Sequence, residues 1–271
     1  MSSFGAAAAS RIARKVVLIT GASSGIGKAT AYELAEAAGG NIKLLLTARR
    51  EEKLIEIKHD LEKLYKNSGI EVLPVKLDVS KTSEITKFYN DLPEVWKKVD
   101  ILVNNAGMVH GIEQVGDIEQ SDIDIMFQTN VIGLIAITQA FLGQMKSQNC
   151  GDIVMLGSIA GRNPYPGGGI YCATKAAVRS FTDTLRKETI NKQIRVIEID
   201  PGAVETEFST VRFRGDTEKA KSVYRGGEPL NAKDIAELIT FAVTRRQNTV
   251  VAETLVFPAN QGGAYHIYRG D

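Results

Sequence analysis

Six short apolar runs recur along the chain, at residues 15–20, 43–47, 71–77, 100–103, 151–156 and 195–199. Most are nearly continuous in Val, Ile and Leu, as strands buried on both faces must be. Segments of helical length lie between them, at residues 26–38, 51–66, 83–92, 120–147 and 171–190. In the first two the apolar residues return at helical spacing: Ile26, Ala29, Leu34 and Ala37, then Leu54, Ile57, Leu61 and Leu64. Strand and helix in alternation predict right-handed βαβ units and a doubly wound parallel α/β sheet, with helices on both faces. No Pro- or Ser-rich linker and no repeat divides the chain, so residues 1–271 read as a single domain. Residues 1–14 are expected to be a flexible leader and 257–271 a C-terminal tail without clear periodicity.

Composition excludes several classes of function. The 33 basic and 32 acidic residues nearly cancel, which leaves no electrostatic ground for nucleic-acid binding. Two cysteines, Cys150 and Cys172, make neither a disulfide framework nor a metal-ligand spacing with His59, His110 or His266, so no metal is expected. A reducing, cytoplasmic setting follows by default. No run of eighteen apolar residues is present, and no membrane-spanning helix is expected. The start, MSSFGAAAAS followed by Arg11, Arg14 and Lys15, has its cations on the wrong side of a short apolar stretch for a secretory signal. An organellar transit peptide is the alternative reading of the same residues.

The sharpest local signal is TGASSGIG at residues 20–27, between a predicted strand and a predicted helix. Gly21, Gly25 and Gly27 stand where the backbone must turn tightly, approach a phosphate and pack a helix against the sheet. The free amides and dipole of the helix start then attract a pyrophosphate. Glycines also mark ordinary turns, but the flanking strand and helix favour a dinucleotide site.

The spacing is Gly-x-x-x-Gly-x-Gly. Together with Asn104-Asn105-Ala106-Gly107, Ser158 and Tyr171-x-x-x-Lys175, all in order along nearly the whole chain, it resembles the short-chain dehydrogenase/reductase family. The resemblance implies a Rossmann-type fold and a nicotinamide cofactor. Gly21, Ser23, Ser24, Gly25, Ile26 and Gly27 would carry the pyrophosphate, Asp78 and Val79 the adenine, and Asn105 and Gly107 the adenine ribose. Asn104 and Asn105 would brace neighbouring strands. Pro201, Gly202, Val204 and Thr206 match the loop that meets the nicotinamide carboxamide. The end of the second strand reads Thr47-Ala48-Arg49-Arg50, with Ala48 where NAD-using relatives carry an acid. A missing carboxylate and added guanidinium groups favour NADP, since Arg49 or Arg50 can clamp a 2′-phosphate.

Tyr171 and Lys175 lie one turn apart on a predicted helix, about 6 Å along its axis, and can share a face. A phenol of ordinary pKa about 10 is a poor base near neutrality, and a neighbouring ammonium is expected to lower it. The resemblance makes Tyr171 the catalytic acid/base. It assigns Lys175 to tune the phenol and hold the nicotinamide ribose, Ser158 to orient the substrate oxygen, and Asn130 to support a water relay behind the lysine.

At finer grain, residues 205–209 and 211–216 resemble the NADP-dependent branch acting on serine, allo-threonine and related 3-hydroxy acids. Such a substrate needs an anchor for its carboxylate, and Arg212 or Arg214 can supply a guanidinium; the same arginines can instead pair with Glu205, Glu207 or Asp216. Pro164, Tyr165 and Gly168 are expected to wall the pocket. Phe127, Ile137, Phe141, Phe181 and Leu185 are candidates for contacts in a family homotetramer, with core packing as the other reading. The tail, with Tyr265, His266, Tyr268 and Arg269, is expected to reach a neighbouring subunit's pocket. The competing functions are NADPH-dependent reduction of neutral ketones or aldehydes, and an NADP-binding sensor or scaffold without turnover.

Overall fold

A computed structural model of the chain describes residues 5–270. Seven parallel strands form one sheet: β1 (Val16–Thr20), β2 (Lys43–Ala48), β3 (Glu71–Lys76), β4 (Ile101–Asn104), β5 (Gly151–Leu156), β6 (Ile194–Pro201) and β7 (Glu253–Val256), in the order β3-β2-β1-β4-β5-β6-β7. All six apolar runs are strands, as expected. β7 was not foreseen, because its short sequence ETLV lies at the sheet edge and alternates between exposed and half-buried positions. Pro74 sits in the opposite edge strand, β3, in register with Leu46 of β2. A residue without a backbone N–H is tolerated there and not in the middle of a sheet.

Eleven α-helices surround the sheet among the described residues: α1 (Ala6–Ile12), α2 (Gly25–Ala37), α3 (Glu51–Leu64), α4 (Thr82–Asp91), α5 (Glu94–Lys97), α6 (Gln120–Phe127), α7 (Leu134–Gln148), α8 (Gly169–Glu188), α9 (Glu207–Arg212), α10 (Thr217–Ser222) and α11 (Ala232–Val243). Alternation along each strand divides the core between the two faces. Val17 and Ile19 pack with Leu34 of α2, Leu54 of α3 and Ile235 and Ile239 of α11. Val16 and Leu18 pack with Phe88 of α4, Phe141 of α7 and Val178 and Leu185 of α8. Both faces are covered, as the alternating pattern requires.

The single helix expected over residues 120–147 is continuous in path, but α6 and α7 are joined by a wider π-helical turn at Gln128–Gly133. Here Gly133 lies against the Val79 carbonyl so closely that a Cβ would collide with it. The stretch Gln120–Gln148 is long and apolar enough by composition to cross a bilayer. Its apolar stripe of Leu134, Ile137, Phe141 and Met145 instead packs on the sheet. Ile137, Phe141 and Leu185 are therefore core residues of this chain and not subunit contacts. Phe127 and Phe181 remain half-buried at the surface.

Two further expectations are corrected. Residues 1–4 lie outside the described residues, but from Ala6 the expected flexible leader is helical. Ile12 is fully buried in the α2/α3/α11 face, and Arg11 Nη1 donates to the Thr244 carbonyl at 2.8 Å, beyond the end of α11. The tail folds onto its own subunit: Tyr265 Oη donates to the Pro166 carbonyl at 2.6 Å, and Arg269 donates to the carbonyls of Arg225 and Val223. An Ile12→Ala substitution is expected to cost about 2–4 kcal/mol of stability, the usual penalty for emptying a closed apolar site. Urea denaturation checks this, and a change within about 0.5 kcal/mol, normal for a surface site, would show that α1 does not contribute to the core.

Candidate active site

From β1 the chain moves outward to β2 and β3, then crosses back to β4 on the other side of β1. At such a switch point the loops leaving adjacent strands diverge, and a crevice opens at their C-terminal ends. A cleft of about 930 Å³ lies there, lined by the ends of β1, β2, β4, β5 and β6 and by the α9 region and the tail.

One end of the cleft is built from the glycine turn. Gly21 has φ +67°, and a Cβ on it would stand 2.9 Å from both Ala106 Cα and Asn105 Nδ2. Gly27 does not face the cleft: a Cβ there would stand 2.6 Å from the Gly21 carbonyl oxygen, so this glycine sets how closely α2 packs on the turn. Gly21, Ser23, Ser24, Gly25 and Ile26 do line the cleft, and no side chain caps the first turn of α2. Its amides are left to serve an anion. Asn105 closes the seam as expected, its Nδ2 donating to the carbonyls of Thr20 and Gly21 at 2.8 and 3.1 Å. Asn104 points the other way, Nδ2 donating to Thr138 Oγ1 of α7.

Ala48, Arg49 and Arg50 line the same end beside Asp78 and Val79. Arg50 Nη2 donates to Ser24 Oγ at 2.7 Å and pairs with Glu207 Oε2 at 2.9 Å. That pairing and contact with Ser24 hold the Glu207 carboxyl below the usual range. Asp78 accepts from the Ser80 amide and hydroxyl, which orders the loop before α4. The donor set suits a dinucleotide phosphate at the glycine turn and a further phosphate at the arginines, with no carboxylate at the end of β2 to oppose it.

The other end of the cleft holds Ser158, Tyr171 and Lys175. Tyr171 and Lys175 share one face of α8, with Nζ 5.9 Å from the phenol ring centroid. Nζ donates to the Leu156 carbonyl at 2.6 Å. Ser158 Oγ accepts from the Ala160 amide. The expected acidification of the phenol does not appear. Burial, then the Tyr165 phenol, push Tyr171 upward and outweigh the opposing contact with Ser158 and the charge of Arg212. Burial also lowers Lys175 to about 8, against the attraction of Asp200 and Glu198. A desolvated ammonium is itself destabilised, which helix spacing alone does not reveal.

Asn130 lies in the π-helical turn, buried and outside the cleft lining. Its Nδ2 donates to the Met108 carbonyl and Thr174 Oγ1, and its Oδ1 accepts from the Met108 amide. It fixes the loop after β4 against α8. Pro201, Gly202, Val204 and Thr206 reach the cleft, though Thr206 Oγ1 also accepts from the Phe208 amide as the N-cap of α9.

The two candidate substrate arginines separate. Arg214 turns outward to Asp122 at 2.5 Å and Glu113 at 3.7 Å, and does not line the cleft. Arg212 does line it: its guanidinium lies over the Tyr165 ring at 5.3 Å. Arg212 makes only long contacts, 3.4 Å to Tyr165 Oη and 3.5 Å to the Gly167 carbonyl, while its Nε is buried without a partner. Tyr165, Pro166 and Gly167 form the wall, and Pro164 and Gly168 stand outside it.

The family model for short chain dehydrogenases matches residues 15–216. A protein of Schizosaccharomyces pombe named NADP-dependent 3-hydroxy acid dehydrogenase is 52% identical over 260 residues, 96% of this chain and 98% of that one. The chain belongs to the short-chain dehydrogenase family. Sulfoacetaldehyde reductase 2 of Chromohalobacter salexigens is 38% identical, covering 91% of this chain and 95% of its own. Among solved structures, the closed form of a serine dehydrogenase complexed with NADP+ superposes with a TM-score of 0.85 at 35% identity, over 93% of this chain and 99% of that one.

This short-chain dehydrogenase also uses cleft residues that the sequence did not single out. Gln261, from the tail, accepts from the Ala203 amide at 2.8 Å and donates to the Gly263 carbonyl. Phe208 packs edge-on against Tyr171, with ring centroids 5.5 Å apart. Neither contact follows from spacing: Gln261 lies in the tail, and Phe208, though within the 205–209 stretch that carries the branch resemblance, meets Tyr171 only when α9 folds.

Lys175 is protonated below its lowered value of about 8 and neutral above it. With NADPH as the varied substrate, kcat/KM reports the free enzyme. It is expected to be level near pH 6–7 and to fall with unit slope above about pH 8. The residual activity of Lys175→Arg, whose guanidinium stays charged, should lack that limb. A wild-type profile flat to pH 10 would refute the assignment.

Proposed function

We propose that this short-chain dehydrogenase, an NADP-dependent oxidoreductase, acts on the 3-hydroxyl of small 3-hydroxy acids such as serine or allo-threonine, giving a semialdehyde or a 3-keto acid. The observation that carries the proposal is Arg212: a guanidinium in the same cleft as Tyr171, with weakly held donors and one buried nitrogen without a partner. A half-buried cation with spare donors favours an anionic ligand, and a carboxylate matches its fork.

NADP, when bound, supplies the hydride acceptor for oxidation or the donor for reduction. The turn from Gly21 to Ile26 and the start of α2 hold the pyrophosphate, Arg49 and Arg50 the 2′-phosphate, and Asp78 and Val79 the adenine. Asn105 and Gly107 flank the adenine ribose, while Pro201, Gly202, Val204 and Thr206 meet the carboxamide. Tyr171 Oη exchanges a proton with the substrate oxygen, Ser158 Oγ orients that oxygen, and Lys175 supplies the adjacent positive charge. Asn130 keeps the Met108 loop and α8 in step behind the lysine, where the family resemblance sets a water relay. Because burial holds the phenol proton on Tyr171 at neutral pH, reduction finds its donor already charged with a proton; oxidation requires that proton to leave first and gains from alkaline conditions.

Apolar lining from Ile112, Phe208, Val211 and Phe213 favours a second reading, reduction of neutral ketones or aldehydes by the same groups. The likeness to a sulfoacetaldehyde reductase suits an aldehyde bearing an anionic group, which the same arginine can hold. A homotetramer would use the surface carrying Phe127, Ile132 and Phe181, all on α6 to α8 and none fully buried. The two free cysteines suit a reducing, cytoplasmic setting.

Arg212→Met should lower kcat/KM for serine or allo-threonine roughly 100-fold, the value of charged hydrogen bonds to a carboxylate. Reduction of a neutral ketone should change by less than about threefold, since no anchor is lost there. Equal loss on both substrates in steady-state assays would sink the carboxylate anchor. Tyr171→Phe should abolish turnover while NADPH binding, followed by its fluorescence, stays intact; an active variant would remove Tyr171 from the proton transfer.

A further inference from the structure

Glu198 and Asp200 stand two residues apart on β6, facing the same side of the sheet. Both are almost fully buried, at 0% and 1% exposure. Neither has a part in the chemistry outlined above. Asp200 Oδ1 accepts the Ser158 backbone N–H at 3.0 Å, and Oδ2 accepts Arg162 Nε at 2.6 Å. Arg162 also pairs with Glu253 of β7, and Arg179 of α8 approaches the same carboxylate at 3.9 Å. Gly157 leaves room for this contact, because a Cβ on it would fall inside Asp200 Oδ1. Lys175 Nζ bonds the Leu156 carbonyl, immediately before Gly157 and Ser158.

The charges in this pocket are unequal. Glu198 has no hydrogen-bond partner for either oxygen. Burial, and then the neighbouring Asp200 carboxylate, push its pKa up to about 8, so Glu198 is neutral below that pH. Arg162 is raised by Glu253 and Asp200. Asp200 is clamped between a guanidinium and the main chain of a reacting residue. A buried ion cluster is a costly means of holding a strand edge, for which apolar packing serves as well. Its contact with Ser158 points to another role.

We propose that Asp200, anchored by Arg162, is a positioning residue that fixes the Ser158 main chain, and through it the Ser158 hydroxyl, from behind the cleft. This rests on Ser158, Tyr171 and Lys175 being the reacting group, and extends it to a second layer of residues that touch neither substrate nor cofactor.

A double-mutant cycle at pH 6, where Lys175 is protonated, isolates the effect on Ser158. Asp200→Ala is expected to lower kcat about 30-fold in the wild-type background and less than about threefold in Ser158→Ala, with NADPH affinity retained in both. Equal losses in the two backgrounds would overturn the proposal and leave Asp200 as a strand pin. Should Asp200→Ala fail to fold, Arg162→Met frees Asp200 from its anchor and carries the same cycle with the same two outcomes.

The cycle is run on whichever substrate turns over, hydroxy acid or neutral carbonyl. Loss of the 3-hydroxy acid assignment would therefore leave this result interpretable.

Discussion

The side-chain amide of Asn105 ties together the two halves of the molecule that the chain visits at different times. Its Nδ2 bonds the Thr20 and Gly21 carbonyls, and its backbone N–H bonds Thr20 Oγ1. These contacts cross from β4 to β1 at the point where the strand order reverses. Gly21 and Gly27 fit around that amide so closely that neither accepts a side chain. The position of α2, and with it the free amides of its first turn, follows from this interlock. The far wall of the cleft, from β5, β6 and α8, is in turn set by register from β4. Phosphate cradle and proton-transfer group thus share one frame of reference.

Burial gives the catalytic end its character and its tension. Tyr171 packs with Val109, Met126, Ala160 and Cys172, Lys175 is buried beside it, and each is driven toward its neutral form. Strong electrostatic effects are available in such a place because water is excluded. The same exclusion makes every charge expensive, so the cations that survive there have identifiable support. Lys175 leans on the Leu156 carbonyl. Arg212 rests on an aromatic face and long contacts, and its support is visibly incomplete.

Most of the fold and much of the site are legible in the sequence because they depend on local pattern. The six apolar strands, the glycine turn and the Tyr171–Lys175 pair follow from spacing over a few residues, and the Asn105 brace from the family resemblance. What escapes depends on contacts distant in the chain. β7 carries no apolar run, and the alanine-rich start of α1 reads as a leader until Ile12 meets α2 and α3. Arg212 and Arg214 look equivalent until Asp122, some ninety residues earlier, captures one of them. The phenol keeps its proton for the same reason: helix spacing shows the neighbouring ammonium but not the burial that overrides it. α11 had a usable signal in Asn231 and Asp234, which form a capping box of the kind that marks a helix start. The acids Glu198 and Asp200, alternating with Ile197 and Ile199 in β6, were a comparable clue.

Pro74 bears on how copies of this molecule can meet. An outermost strand with a free row of backbone donors invites a second chain to extend the sheet. In β3 that row is interrupted by a residue with nothing to donate, while Glu71 and Lys76 place charge at either end of the strand. Growth of a continuous ribbon through this flank is disfavoured.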